Sequence, residues 1–213
     1  MNDSINRKLP PRRQWLTPGT LHGSWLVLVS LIALILLLSM LGETARQALR
    51  FDRIAILNER QYWRLLTGHL VHGSWRHTLL NTAGLGLIVA LFRGVYTPMQ
   101  WCRIGLLSAL CIDVGLLMLM PTLQWYVGLS GVLHGLLAAG AVAWWRVESP
   151  GLAALLTAIL VGKLCWEQWQ GALPLSGDLP VIVNAHLYGA AGGLLAGALM
   201  LTRLPGRSAQ RPN

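Results

Sequence analysis

Three polar residues open long apolar stretches, each at nearly the same distance from a basic residue at the stretch's far end. Ser130, in Gly128-Leu129-Ser130-Gly131, precedes Arg146 by 16 residues; His186 precedes Arg203 by 17, and His77 precedes Arg93 by 16. At about 1.5 Å of rise per helical residue, each lies roughly 24 Å from its basic boundary. In a hydrocarbon layer about 30 Å thick, all three then share one level, slightly below the opposite surface. A hydroxyl and two imidazoles at one depth are the parts of a buried hydrolytic site. Serine needs a base to become a nucleophile, and imidazole is the side chain best matched to neutral pH. Ser130 is therefore read as nucleophile and His186 as general base. No Asp or Glu occurs near His186 in the sequence, so packing or another polar group is expected to hold the ring.

The neighbours of these residues fit the same chemistry. Ser130 begins a helix, where free backbone amides and the positive end of the dipole gather, so its own amide can face an oxyanion. His77 and Asn81 are four apart, stack on one helix face and supply further donors. Gly128 and Gly131 permit a tight turn and close backbone approach. Each residue alone has a plainer role: a serine at a helix start is ordinarily a cap, Asn81 ordinarily interhelical glue, His77 a polar interface residue. Their coincidence at one level points to catalysis. Gly189, Gly193 and Gly197 recur every four residues behind His186, as Gly131, Gly135 and Ala139 do behind Ser130. Such stripes let two helices touch closely and would carry Ser130 to His186.

The elements that position these residues belong to a membrane protein. Of 213 residues 54% are hydrophobic and 12% charged, half the charge of a soluble domain. Six apolar segments are expected to be membrane helices: 24–41, 78–92, 104–120, 130–145, 152–166 and 186–201. Several are shorter than the ~20 residues of a full span, so their ends are expected to be buried in protein. The first segment is too long for a cleavable signal and five more follow it. The division is a basic tail at 1–23, a six-helix domain at 24–202, and a second basic tail at 203–213, expected to be disordered. The net charge of +9 sits at segment ends, as anionic lipid and orientation demand, rather than in a nucleic-acid patch. Ten Lys and Arg fall in the tails and inner loops, and the loops 121–126 and 167–184 carry none, which places both termini in the cytoplasm. The first outer loop, 42–76, breaks the rule with six arginines. Arg46, Arg50 and Arg53 at helical spacing make it an expected amphipathic element at the membrane interface.

Gly128-Leu129-Ser130-Gly131, Ala185-His186-Leu187-Tyr188-Gly189 and the run from His72 to Asn81 (HGSWRHTLLN) resemble the signature motifs of rhomboid intramembrane serine proteases. Tyr62-Trp63-Arg64 resembles the Trp-Arg pair of that family's first loop. The similarity covers all six segments in order. It implies a six-helix all-α bundle, Ser130 as nucleophile, His186 as base, His77 and Asn81 as oxyanion partners, and Arg64 as a structural residue of the first loop. Many bacterial rhomboids carry a tyrosine four residues after the nucleophile; here His134 stands there, able to stack on His186 or hydrogen-bond to it. The stretch Gly-Leu-Ser-Gly-Val-Leu-His-Gly is similar to the rhombosortase branch. This implies single-pass membrane substrates bearing carboxyl-terminal Gly-Gly sorting helices, in a bacterial inner membrane.

No cofactor or metal is expected. His69, His72 and His77 lack the carboxylate or thiolate that would complete a ligand set, and Cys102, Cys111 and Cys165 read as ordinary thiols. Asp113 and Lys163 lie at depths that could match, so pairing is expected, Lys163 alternatively with Glu167 four residues on. The rival readings are a general rhomboid protease of other single-pass substrates, an inactive relative that binds client helices, and a proton-relay transporter through His77, His134 and His186.

Overall fold

Each of the six apolar segments folds as a helix, and side-chain caps mark where three of them begin. The computed structural model describes residues 18–172 and 181–201; the basic residues of both tails lie outside them. Helix α1 spans Pro18–Met40. Helix α5 (Trp75–Leu91) starts where the Ser74 hydroxyl accepts from the His77 amide, and α6 (Pro98–Leu119) opens with a capping box between Thr97 and Gln100. Helix α7 is Ser130–Val147, α8 (Pro150–Gln170) is capped by Ser149, and α9 is Val183–Met200.

The first loop is not one amphipathic helix. It breaks into α2 (Gly42–Leu49), a two-residue strand β1 (Phe51–Asp52), α3 (Arg53–Asn58) and α4 (Arg64–Thr67). The arginines are spaced as on one helix, but buried Phe51 draws the chain into an antiparallel pairing with β2 (Trp125–Tyr126). The arginine side chains then serve as staples. Arg53 donates to the carbonyls of Leu116, Leu117, Met120 and Leu123, closing the carboxyl end of α6. Arg64 donates to the carbonyls of Gln47 and Arg50, which ties α4 to the end of α2.

Helix α7 lies at the centre, against α5, α6, α8 and α9. Its contact with α9 is backbone to backbone. A Cβ on Gly131 would stand 2.7 Å from the Ala185 carbonyl, and one on Gly193 would collide with the Gly135 backbone. No side chain larger than hydrogen fits those positions, so the two small-residue stripes set the spacing of α7 and α9. Farther along, buried Tyr96 donates to the Ala139 carbonyl at 2.9 Å, and Phe92 occupies the space beside Gly140.

Among the described residues three helices are long and apolar enough to cross a membrane: α1 within Gly23–Met40, α6 and α8. Leu26 (69% exposed) and Val29 (61%) on α1 form part of an outer surface suited to lipid. Helices α5, α7 and α9, which carry Ser130, His77 and His186, fall short of that measure. Buried against protein on most sides, α7 and α9 can hold polar groups and close-packing glycines that a lipid-facing helix could not.

Candidate active site

The turn before α7 is shaped by a glycine that nothing else can replace. Gly128 has φ +116°, a region costly for residues with a Cβ, and a Cβ there would stand 2.6 Å from the His77 ring. Its amide donates to the Gly68 carbonyl at 3.0 Å, and its carbonyl accepts from the Tyr126 hydroxyl at 2.8 Å. Burial pushes the Tyr126 phenol up, with the nearby Asp113 carboxyl adding to it, so the hydroxyl stays a donor and pins the turn. The cap of α7 is Leu129, without a side-chain cap bond. Ser130 is the first helical residue, and its hydroxyl is not spent on capping.

That hydroxyl faces α9. Ser130 Oγ lies 2.9 Å from His186 Nε2, within hydrogen-bond distance. On the other side of the ring, His186 Nδ1 lies 2.9 Å from Glu167 Oε2 on α8. An ionised carboxylate only accepts, so the proton of this bond sits on Nδ1 and the lone pair of Nε2 faces the serine. Glu167 is 2% exposed and holds a second partner, Lys163, whose Nζ is 2.5 Å from Oε1. Lys163 Nζ is also 2.8 Å from His134 Nε2, while His134 Nδ1 is 2.7 Å from the Ser130 carbonyl. The His134 and His186 rings stack at 4.1 Å between centroids and 16° between planes.

The expectation that no acid reaches His186 is therefore corrected. Glu167 is 19 residues away in the sequence but adjacent in space, because α8 and α9 both bring this end toward Ser130. A depth count along α8 from its first residue would have found it. Glu167 follows Pro150 by 17 residues, about 25 Å of helix, which is the level of the serine. Of the two pairings considered for Lys163, the one with Glu167 forms; Asp113 instead lies beside His69, 3.3 Å from Nε2. Tyr126 also went unread, since its role depends on the β1–β2 pairing.

His77 and Asn81 line the same cavity as Ser130 and His186, a space of about 590 Å³ with Leu80, Trp125 and Ile182 among its apolar walls. Such a volume suits a bound ligand segment. The Asn81 amide donates to the His77 carbonyl at 3.0 Å, and its nitrogen carries a second N–H to donate. Of the three histidines without a ligand set, His72 and His77 touch edge to face at 5.0 Å, while His69 packs against Tyr126. A different trio, His134, Glu167 and His186, brings its donor atoms within 4.8 Å of one another. Those atoms already bond Lys163 and Ser130, and the Lys163 ammonium supplies the cation there, so the trio does not fit a resident metal.

Chemically, this arrangement can take a proton from a serine hydroxyl, hold the resulting imidazolium against a carboxylate, and present helix-start amides to a developing oxyanion. The chain has relatives among known proteins. The family described as Rhomboid domain matches residues 59–203. A protein of Arabidopsis thaliana, RHOMBOID-like protein 7, is 30% identical over 151 residues, covering 68% of this chain and 45% of that protein. The chain thus spans about half the length of that relative.

Proposed function

The chain belongs to the rhomboid family, and from that membership we propose that it is an intramembrane serine endopeptidase. The observation that carries the reading is the run of contacts from Ser130 Oγ to His186 Nε2 and from His186 Nδ1 to Glu167, each 2.9 Å. Ser130 gives its proton to His186 Nε2 as Oγ bonds the substrate carbonyl carbon. The oxyanion meets the Ser130 amide, with His77 and Asn81 as further donors. The carbon–nitrogen bond then breaks, the imidazolium protonates the leaving amine, and the acyl group remains on Ser130. Water repeats the sequence: it loses a proton to His186, the ester bond breaks, and Ser130 recovers its hydrogen.

The substrate is a membrane-anchored protein cut near the outer face, and the six helices all span, with both termini cytoplasmic, in a bacterial inner membrane. The Lys and Arg distribution supports that orientation. A peptide bond inside a helix is shielded, so the substrate must unwind locally at the cut. A Gly-Gly pair assists, since each glycine weakens a helix by about 1 kcal/mol. Together with His134 in the Gly-Leu-Ser-Gly-Val-Leu-His-Gly stretch, this favours a rhombosortase that removes carboxyl-terminal Gly-Gly sorting helices. Co-expression with a reporter anchored by a Gly-Gly tail tests it. Release by wild type and not by Ser130→Ala is expected. Release of a reporter with an unrelated single-pass anchor and not of the Gly-Gly one would make it a general protease. Release of neither favours an inactive, client-binding relative.

A further inference from the structure

The side chains around Ser130 form a closed circuit, and each hydrogen bond in it has only one possible direction. An ammonium group has three protons and no lone pair, so Lys163 must donate at both of its contacts. One is Glu167 Oε1 at 2.5 Å; the other is His134 Nε2 at 2.8 Å. His134 Nε2 must therefore be unprotonated, which leaves its proton on Nδ1. That nitrogen faces the Ser130 carbonyl at 2.7 Å, and a carbonyl can only accept. Both ends of the His134 ring thus demand the same neutral tautomer. From Lys163 the circuit continues through Glu167 to His186 Nδ1, and returns from His186 Nε2 to the hydroxyl of Ser130. It begins and ends on one residue.

We propose that Lys163 and His134 are positioning residues that hold His186 neutral and correctly tautomeric before the reaction, a role that rests on the proteolytic reading above. The charge balance gives the reason. With Lys163 in place, the cation and the Glu167 carboxylate cancel, and the resting imidazole of His186 faces no net charge. Without Lys163 the buried carboxylate stands alone, and His186 binds a proton at rest to satisfy it. A protonated base cannot accept the proton of Ser130. His134 contributes through its two bonds, which fix the Lys163 ammonium and the Ser130 carbonyl, and through its neutrality. It lies flat on His186 at 4.1 Å, and a cation there would oppose the imidazolium that forms as Ser130 attacks. Of the other polar groups that line the cavity with His186, Ser130 on α7, Asn81 on α5 and Tyr126 on β2 are uncharged, and His77 on α5 is a further imidazole.

The test is the rate of Ser130 modification by a fluorophosphonate, measured from pH 5 to 9.5 on the full chain in detergent, with the inactivation rate separated from the affinity of the probe. Lys163→Met should move the acid limb of the rate profile upward by about one pH unit or more. It should lower the rate at neutral pH about tenfold, recover partly at alkaline pH, and leave probe affinity unchanged. Lys163→Arg, which keeps charge and donors, should restore most of the rate. His134→Phe keeps the stack and the Lys163–Glu167 pair; it should slow inactivation about threefold to tenfold with the acid limb unmoved. It also keeps the idea testable if Lys163→Met does not fold. A folded Lys163→Met with the wild-type profile, or a folded His134→Phe with the wild-type rate, overturns the proposal. Absence of Ser130 labelling in the wild type instead overturns the proteolytic reading beneath it.

Discussion

Glu167 Oε2 and His186 Nδ1 meet 2.9 Å apart between α8 and α9, so the imidazole that faces Ser130 is anchored by a buried carboxylate from a third helix. Ser130, His186 and Glu167 thus lie in one line of contacts, and on the proposed reading the acid would fix the tautomer and stabilise the imidazolium.

Replacing Glu167 with Gln tests that role. The amide keeps the size of the side chain but can donate to Nδ1, which would put the ring proton on Nε2 and turn the wrong face to Ser130. Acylation of Ser130 should fall by about 10²–10⁴, with substrate affinity changed little, by analogy with the loss seen when a triad carboxylate becomes an amide. Rates within a factor of two of wild type would mean the carboxylate only partners Lys163.

The α7–α9 interlock predicts a contrast between two glycines. A Cβ at Gly193 runs into the Gly135 backbone, whereas one at Gly86 meets nothing within 4 Å. Gly193→Ala should destabilise by about 1–3 kcal/mol, since rigid backbone cannot yield, and activity should fall with it as Ser130 and His186 part. Gly86→Ala should be neutral or slightly stabilising, because alanine is the better helix former. Thermal unfolding in detergent, read beside the fluorophosphonate rate, separates them; equal effects would deny the interlock.

His72 sits in the loop before α5, 7% exposed, its ring nitrogens without hydrogen-bond partners among the described residues. Burial holds it well below the usual histidine range, at about 3, with the neighbouring His77 adding to the effect. The sign follows from linkage. The unfolded chain takes up this proton as pH falls through about 6.5, and the folded chain refuses it until about 3. Stability is thus full above pH 6.5 and declines as the solution is acidified toward 3. His72→Leu should flatten the fall in unfolding temperature between pH 7 and 4.5. An unchanged slope would show that other groups set the acid sensitivity.

Much of this was legible because lipid leaves few choices. The six apolar segments appear as helices, with their starts moved outward by caps such as Ser74, Thr97 and Ser149. The glycine stripes are legible for the same reason, since Gly131 and Gly193 have only one use at a helix crossing. The depth count locates Ser130 and His186 at one level, and their roles are proposed from that meeting. What escaped depends on contacts remote in the chain. Arg53 reads as one face of an amphipathic helix until Phe51 pairs with Tyr126 and sends the guanidinium to the end of α6. Glu167 reads as the partner of Lys163, four residues back, because a local pairing is visible in a sequence and a second bond across to α9 is not.

The most direct test of the account is to map the fluorophosphonate adduct by peptide mass spectrometry in wild type and His186→Ala. The account predicts one adduct, on Ser130, formed in the wild type and lost or slowed at least a hundredfold, on the order of a missing general base, in His186→Ala. An unmodified Ser130 in folded wild-type protein, or an adduct formed equally fast without His186, would contradict it.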